Sequence, residues 1–133
     1  MINTNFTHHL IYKNSFMTDK LRQFFKYKIR ETQFFYNQKD KYFDLIEQYL
    51  DSRIDSNSFR AKFLSMTQEN KKNHEILEKN VKQLSDFFID SNSDGFGYFI
   101  EKILDFSESS TMPEDIFRDS IVKVFFEMKK RYP

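Results

Sequence analysis

The chain has no cysteine, no tryptophan, two prolines and two glycines in 133 residues, and it contains a single alanine, Ala61. Without cysteine there can be no disulfide framework, no thiolate zinc site and no cysteine nucleophile. No apolar run approaches the roughly 20 residues that a membrane helix needs. The N-terminus also lacks the basic region, apolar run and small-residue cleavage site of a secretory leader, so a soluble, unsecreted protein is expected. Histidine is scarce as well. His8 and His9 are adjacent, and His74 is the lone histidine of a polar stretch, which reads as surface histidine rather than a metal site.

What the chain does contain is rings and charge. Seventeen Phe and seven Tyr predict a core filled by large side chains, each burying about 150 to 250 Å². The excess of Phe, Tyr, Ile, Asn and Lys over Gly, Ala, Arg and Pro is the amino-acid shadow of AT-rich coding DNA, as in an organelle genome or an AT-rich bacterium. A formal net charge of +1 hides segregation. Residues 1–38 carry six basic and two acidic side chains, whereas residues 86–119 carry nine acidic and two basic ones. Such asymmetry bears on partners and association rates.

Residues 1–16 lack a sustained period and read as a flexible arm preceding one domain over 17–133. From Thr18, a plausible N-cap, Leu21, Phe24, Phe25, Ile29, Phe35 and Tyr36 recur at helical spacing. The other side of that helix carries Lys20, Arg22, Lys26, Lys28 and Arg30, a candidate nucleic-acid face that reads more simply as solvated surface. A second helix is expected from Lys39 to Asp51. Asp55 then reads as the N-cap of a third, with Ile54 and Phe59 stapling its start and a polar connection replacing it at Thr67–Asn73. A fourth is expected from His74 to Ile89, with Ile76, Leu77, Val81, Leu84, Phe87 and Phe88 on one stripe. Phe96, Phe99, Ile100, Ile103, Leu104 and Phe106 define a fifth. Thr111-Met-Pro-Glu114 has the form of a capping box before a sixth, which closes on Lys129, Lys130 and Arg131, well placed for the helix dipole. No segment alternates as a strand. The fold class predicted is all-α, an antiparallel bundle of five to six helices.

Both glycines fall in residues 89–104, between two apolar-periodic segments. Asp90, Asn92, Asp94, Gly95 and Glu101 satisfy the oxygen-ligand and glycine positions of a calcium-binding loop. Against that reading, Gly97 occupies the position where an apolar residue ordinarily pairs with a second hand, and the sequence has no second loop. The competing reading makes Asp90, Ser91, Asn92 and Ser93 turn residues, with Gly95 supplying a positive φ.

From Tyr42 onward the chain resembles the colicin D immunity-type family of small helical proteins, found in bacteria with relatives encoded in plastids. The resemblance is carried by Tyr42-x-x-Leu45-Ile46-x-x-Tyr49-Leu50, a short turn with Ile54, Phe59-x-x-x-Phe63-Leu64 and Phe117-Arg118-x-x-Ile121. Asp94-Gly95-Phe96, with Phe99, Ile100 and Ile103 behind it, also resembles the plastid relatives, where this stretch starts a helix. The resemblance implies a helical bundle over about 39–133, located in a plastid stroma or bacterial cytoplasm, whose acidic surface occludes the basic active site of a tRNA-cleaving toxin. Glu101, Asp105 and Glu108 share one face of the fifth helix, and Glu114, Asp115 and Asp119 cluster at the start of the sixth. These six are the candidate partner-binding residues for a basic protein such as a nuclease toxin domain. The carboxylates have no histidine, lysine or serine at a spacing suited to acid-base or nucleophilic work, so the expectation is a non-enzyme without cofactor. Calcium binding through Asp90, Asn92, Asp94 and Glu101, or nucleic-acid binding through the first helix, are the alternatives.

Overall fold

The computed structural model describes residues 18–80 and 87–133, and the fold is all-α. Among the described residues there are five α-helices and no strand: α1 (Asp19–Asn37), α2 (Lys39–Leu50), α3 (Ser56–Lys79), α4 (Phe96–Glu108) and α5 (Glu114–Arg131), with a 3-10 turn at Ser91–Ser93 before α4. The arm expected at 1–16, with His8 and His9, and the positions Val81 and Leu84 lie outside the described residues. Two compact units emerge, one from residues 18–37 and 70–98, the other from 38–69 and 99–133.

The second unit is built on rings. α2 and α3 run antiparallel, because Tyr49 stacks on Phe59 at 5.0 Å between centroids near the turn while Tyr42 meets Phe63 at 5.3 Å further away. Pairing of Tyr49 with Phe117 and of Phe43 with Phe125 makes α2 and α5 antiparallel too. Phe99 at the start of α4 meets Tyr132 just beyond the end of α5. Leu45, Ile46, Ile100, Ile103, Ile121 and Met128 fill the space between the rings and are buried. Full burial of one such side chain is worth about 1.5 to 3 kcal/mol. Phe59 is wholly buried against Tyr49, Phe63 and Phe117, and its truncation to alanine should cost about 3 to 5 kcal/mol.

Local chemistry sets two of the helix starts. Thr18 Oγ1 accepts from Leu21 N at 3.2 Å, capping α1 as the sequence predicts. Asp55 Oδ1 accepts from Ser58 N at 2.7 Å, capping α3, and that bond holds its carboxyl below the usual range. Between α2 and α3, Ser52 takes a positive φ of 59°.

Two boundary expectations are corrected. The polar stretch Thr67–Asn73 is not a connection, and no separate helix starts at His74: α3 continues through both to Lys79. Gln, Glu and Lys are good helix formers, and the stretch has no breaker. Its buried positions follow Phe59 and Phe63 at helical spacing but are Thr67, Asn70 and His74, so the inward stripe is written in polar letters. Residues 87–89, expected in the same helix, are not helical, and Phe88 is 79% exposed. The capping box at Thr111 is also absent. α5 starts at Glu114, two residues later than that box requires, with Pro113 as N-cap; proline has no side-chain acceptor, and the Glu114 carboxylate accepts from Tyr49 instead of reaching back.

Candidate functional site

The six carboxylates proposed as a binding surface all belong to the second unit. On α4, Asp105 and Glu108 are exposed and Glu101 is partly covered; at the start of α5, Glu114, Asp115 and Asp119 are exposed. Their surroundings divide them. Glu114 Oε1 accepts from the Tyr49 hydroxyl at 2.9 Å. Burial, followed by that bond, pushes the Tyr49 phenol up to about 12. Asp119 pairs with Lys123 one turn on, at 3.1 Å. Asp105, Glu108 and Asp115 have no ion pair among the described residues.

The nearby arginines are engaged with main chain rather than with these acids. Arg118 donates through both terminal nitrogens to the carbonyls of Tyr49 and Leu50, the last turn of α2, with its guanidinium 5.3 Å from the Tyr49 ring centre. Arg60 lies over the Phe117 ring at 4.1 Å and donates to the Ser109 carbonyl at 2.9 Å. Both arginines thus spend hydrogen bonds on main-chain carbonyls rather than on these carboxylates.

The first unit holds a feature the sequence reading missed. His74 is not a surface histidine; it is fully buried. Its ring lies 4.2 Å from Tyr27 and 5.3 Å from Phe34. Nε2 meets Glu78 Oε1 at 2.9 Å, while Nδ1 has no hydrogen-bond partner and faces Glu31 Oε2 at 3.9 Å. Arg30 grips Glu78 with two nitrogens, at 2.5 and 2.9 Å, and Lys28 reaches Glu31 at 3.3 Å. Burial lowers the His74 pKa against the pull of both carboxylates, and the Arg30 hydrogen bond lowers that of Glu78. The result is a charge-balanced network around a neutral imidazole. The signal was present as Glu31 and Arg30 on one helix and His74 and Glu78 at i, i+4 on another, but pairing them requires knowing that α3 extends this far.

The same network removes cations from the proposed nucleic-acid face of α1. Arg30 and Lys28 are paired as above, and Arg22 lies 3.7 Å from Asp19, leaving Lys20 and Lys26 exposed.

The glycine stretch is a turn held by its own side chains. Asp90 Oδ1 accepts from Asn92 N at 2.9 Å, and Asp90 N donates to the buried Gln33 side chain at 2.7 Å. Gly95 takes a φ of 78°, which any Cβ would strain. Gly97 is glycine for a different reason: a Cβ there would lie 2.2 Å from Thr32 Oγ1 on α1. Among the described residues no three His, Asp or Glu side chains are grouped as a metal site requires, and no helix is long and apolar enough to cross a membrane.

No protein-family model, no curated protein and no solved structure matches the chain.

Proposed function

We propose that the protein is a non-enzymatic binding module that presents the carboxylates of α4 and the start of α5 to a basic protein partner. The observation that carries this reading is the unmatched charge of Asp105, Glu108 and Asp115 beside two arginines committed to carbonyls. Three exposed carboxylates without an ion pair among the described residues raise the self-energy of the free protein slightly, and a cationic surface relieves that while accelerating encounter. Phe117 packs on Tyr49 and Phe59 and so fixes the start of α5, and Phe99 against Tyr132 ties the start of α4 to the end of α5.

The resemblance to colicin D immunity-type proteins supports the same reading and supplies the partner class: a nuclease domain with a basic, tRNA-binding active site. The location that goes with it is a bacterial cytoplasm or a plastid stroma.

The test is equilibrium binding to such a basic nuclease domain. Lysine at Asp105, Glu108 and Asp115 together is expected to abolish capture, and affinity of the unaltered protein is expected to fall with salt as the Debye length shrinks from about 10 Å at 0.1 M. Capture that survives all three substitutions removes the reading.

A further inference from the structure

α5 is apolar on two sides. Its inner face, Phe117, Ile121, Val124, Phe125 and Met128, is buried in the second unit. Ile116, Val122 and Phe126 point the other way and are 50%, 45% and 65% exposed. A surface helix needs one apolar stripe, so the second calls for an occupant. At 100° per residue Asp115, Asp119, Val122, Lys123, Phe126 and Lys130 fall on that same outer face.

The charges along this face identify the occupant. On this face the N-terminal half of α5 carries Asp115 and Asp119, and the C-terminal half carries Lys123, which pairs with Asp119 one turn back, and Lys130. A uniformly basic partner would meet like charge at one end of this face, and a uniformly acidic one at the other. A second copy, turned end for end, meets opposite charge at both ends and sets Val122 and Phe126 against their counterparts in the middle. Two-fold pairing of identical faces is also the commonest form of self-association.

We propose that the outer face of α5 is a self-association surface, on which two copies of this chain pair with their α5 helices antiparallel. The pairing brings Asp115 and Asp119 of each copy opposite the basic end of the other, around a centre formed by Val122 and Phe126. One helix face against another buries little area compared with the 1,200 to 2,000 Å² or so of a stable complex, so the dimer is weak and concentration-dependent. The inference holds whether or not a foreign basic partner exists.

Sedimentation velocity on the full chain, from about 1 μM to about 1 mM, is the test. The expected result is a monomer that converts to dimer with rising concentration, and a dissociation constant at least about tenfold weaker for Phe126→Asp. Two charge variants decide the geometry. Asp115→Lys/Asp119→Lys and Lys123→Glu/Lys130→Glu are each expected to remain monomeric, whereas their equimolar mixture restores the dimer. All four sites are exposed, so the circular dichroism of each variant should match the parent; if Phe126→Asp loses helix, Phe126→Ala takes its place. A parent that stays monomeric throughout, a dimer insensitive to both Phe126 variants, or a mixture that fails to pair while the parent dimerises overturns the proposal.

Discussion

Replacing Gly97 by alanine sets two effects of known size against each other. In an open helix position the change stabilises by about 1 kcal/mol, because alanine loses less backbone entropy. Here the new methyl would lie 2.2 Å from Thr32 Oγ1, 3.4 Å from Thr32 Cβ and 3.5 Å from Thr32 Cα. The first distance is impossible; the other two are close to ordinary contact. Thr32 must rotate its hydroxyl away or α1 must retreat from the start of α4, and overpacking of this kind costs about 1 to 3 kcal/mol. The net expectation is destabilisation of up to about 2 kcal/mol in urea unfolding followed by circular dichroism. Thr32→Ala removes Oγ1 and leaves only the near-normal contacts. In that background Gly97→Ala should therefore be neutral or stabilising by up to about 1 kcal/mol, a coupling of about 2 kcal/mol in the double-mutant cycle. Stabilisation by Gly97→Ala alone, or equal effects in both backgrounds, would refute the close approach of the two residues.

Acid should loosen the protein through His74. Its folded-state pKa is lowered, so the unfolded chain takes the proton first and stability is lost as pH falls below about 6.5. Urea midpoints from about pH 7 to about pH 5 should decline in the parent and much less in His74→Gln; parallel curves would refute this. Glu78, also lowered, adds a loss further down, where its stabilising ionised form is titrated away below about pH 4.5. At the alkaline end Tyr49, raised to about 12, should be among the last phenols to ionise in an ultraviolet titration, and its contribution persists below pH 10 or so and disappears as pH rises through 12 or so. Tyr49→Phe should remove the late phase and cost about 1 kcal/mol. Arg118→Ala should cost about 1.5 to 3 kcal/mol by freeing two carbonyls at the end of α2, and Arg118→Lys should recover only part, since an ammonium cannot reproduce the planar fork.

How far the sequence is legible depends on which physical signal each feature uses. Thr18 and Asp55 are readable as caps because a cap is a local bond between a side chain and an amide three residues on. The ring stripe of α2 and the buried face of α5 follow from spacing alone, although Ile116 belongs to the exposed side. The length of α3 is not readable from hydrophobic period, since Thr67, Asn70 and His74 face inward where the pattern calls for apolar residues. The capping box at Thr111 fails because the helix starts only at Glu114, after Pro113, and Glu114 has a partner sixty-five residues away, Tyr49, that no local window contains. Of the candidate binding carboxylates, residue type and helix face could be inferred, but the division between engaged and unengaged ones required the positions of Arg60, Arg118 and Lys123.

The polar lettering of α3 gives that helix two unequal halves. Amides over Phe59 and Phe63 are anchored by aromatic burial, which is indifferent to protons. Those around Asn70 and His74 depend on a network whose neutral imidazole is its weak point in acid. Hydrogen exchange should therefore be uniform along α3 at neutral pH and become graded on acidification, with the C-terminal turns exchanging first while the N-terminal turns keep the protection of global unfolding. A single uninterrupted helix thus carries a built-in order of opening, set by what lies beneath it rather than by its own hydrogen bonds.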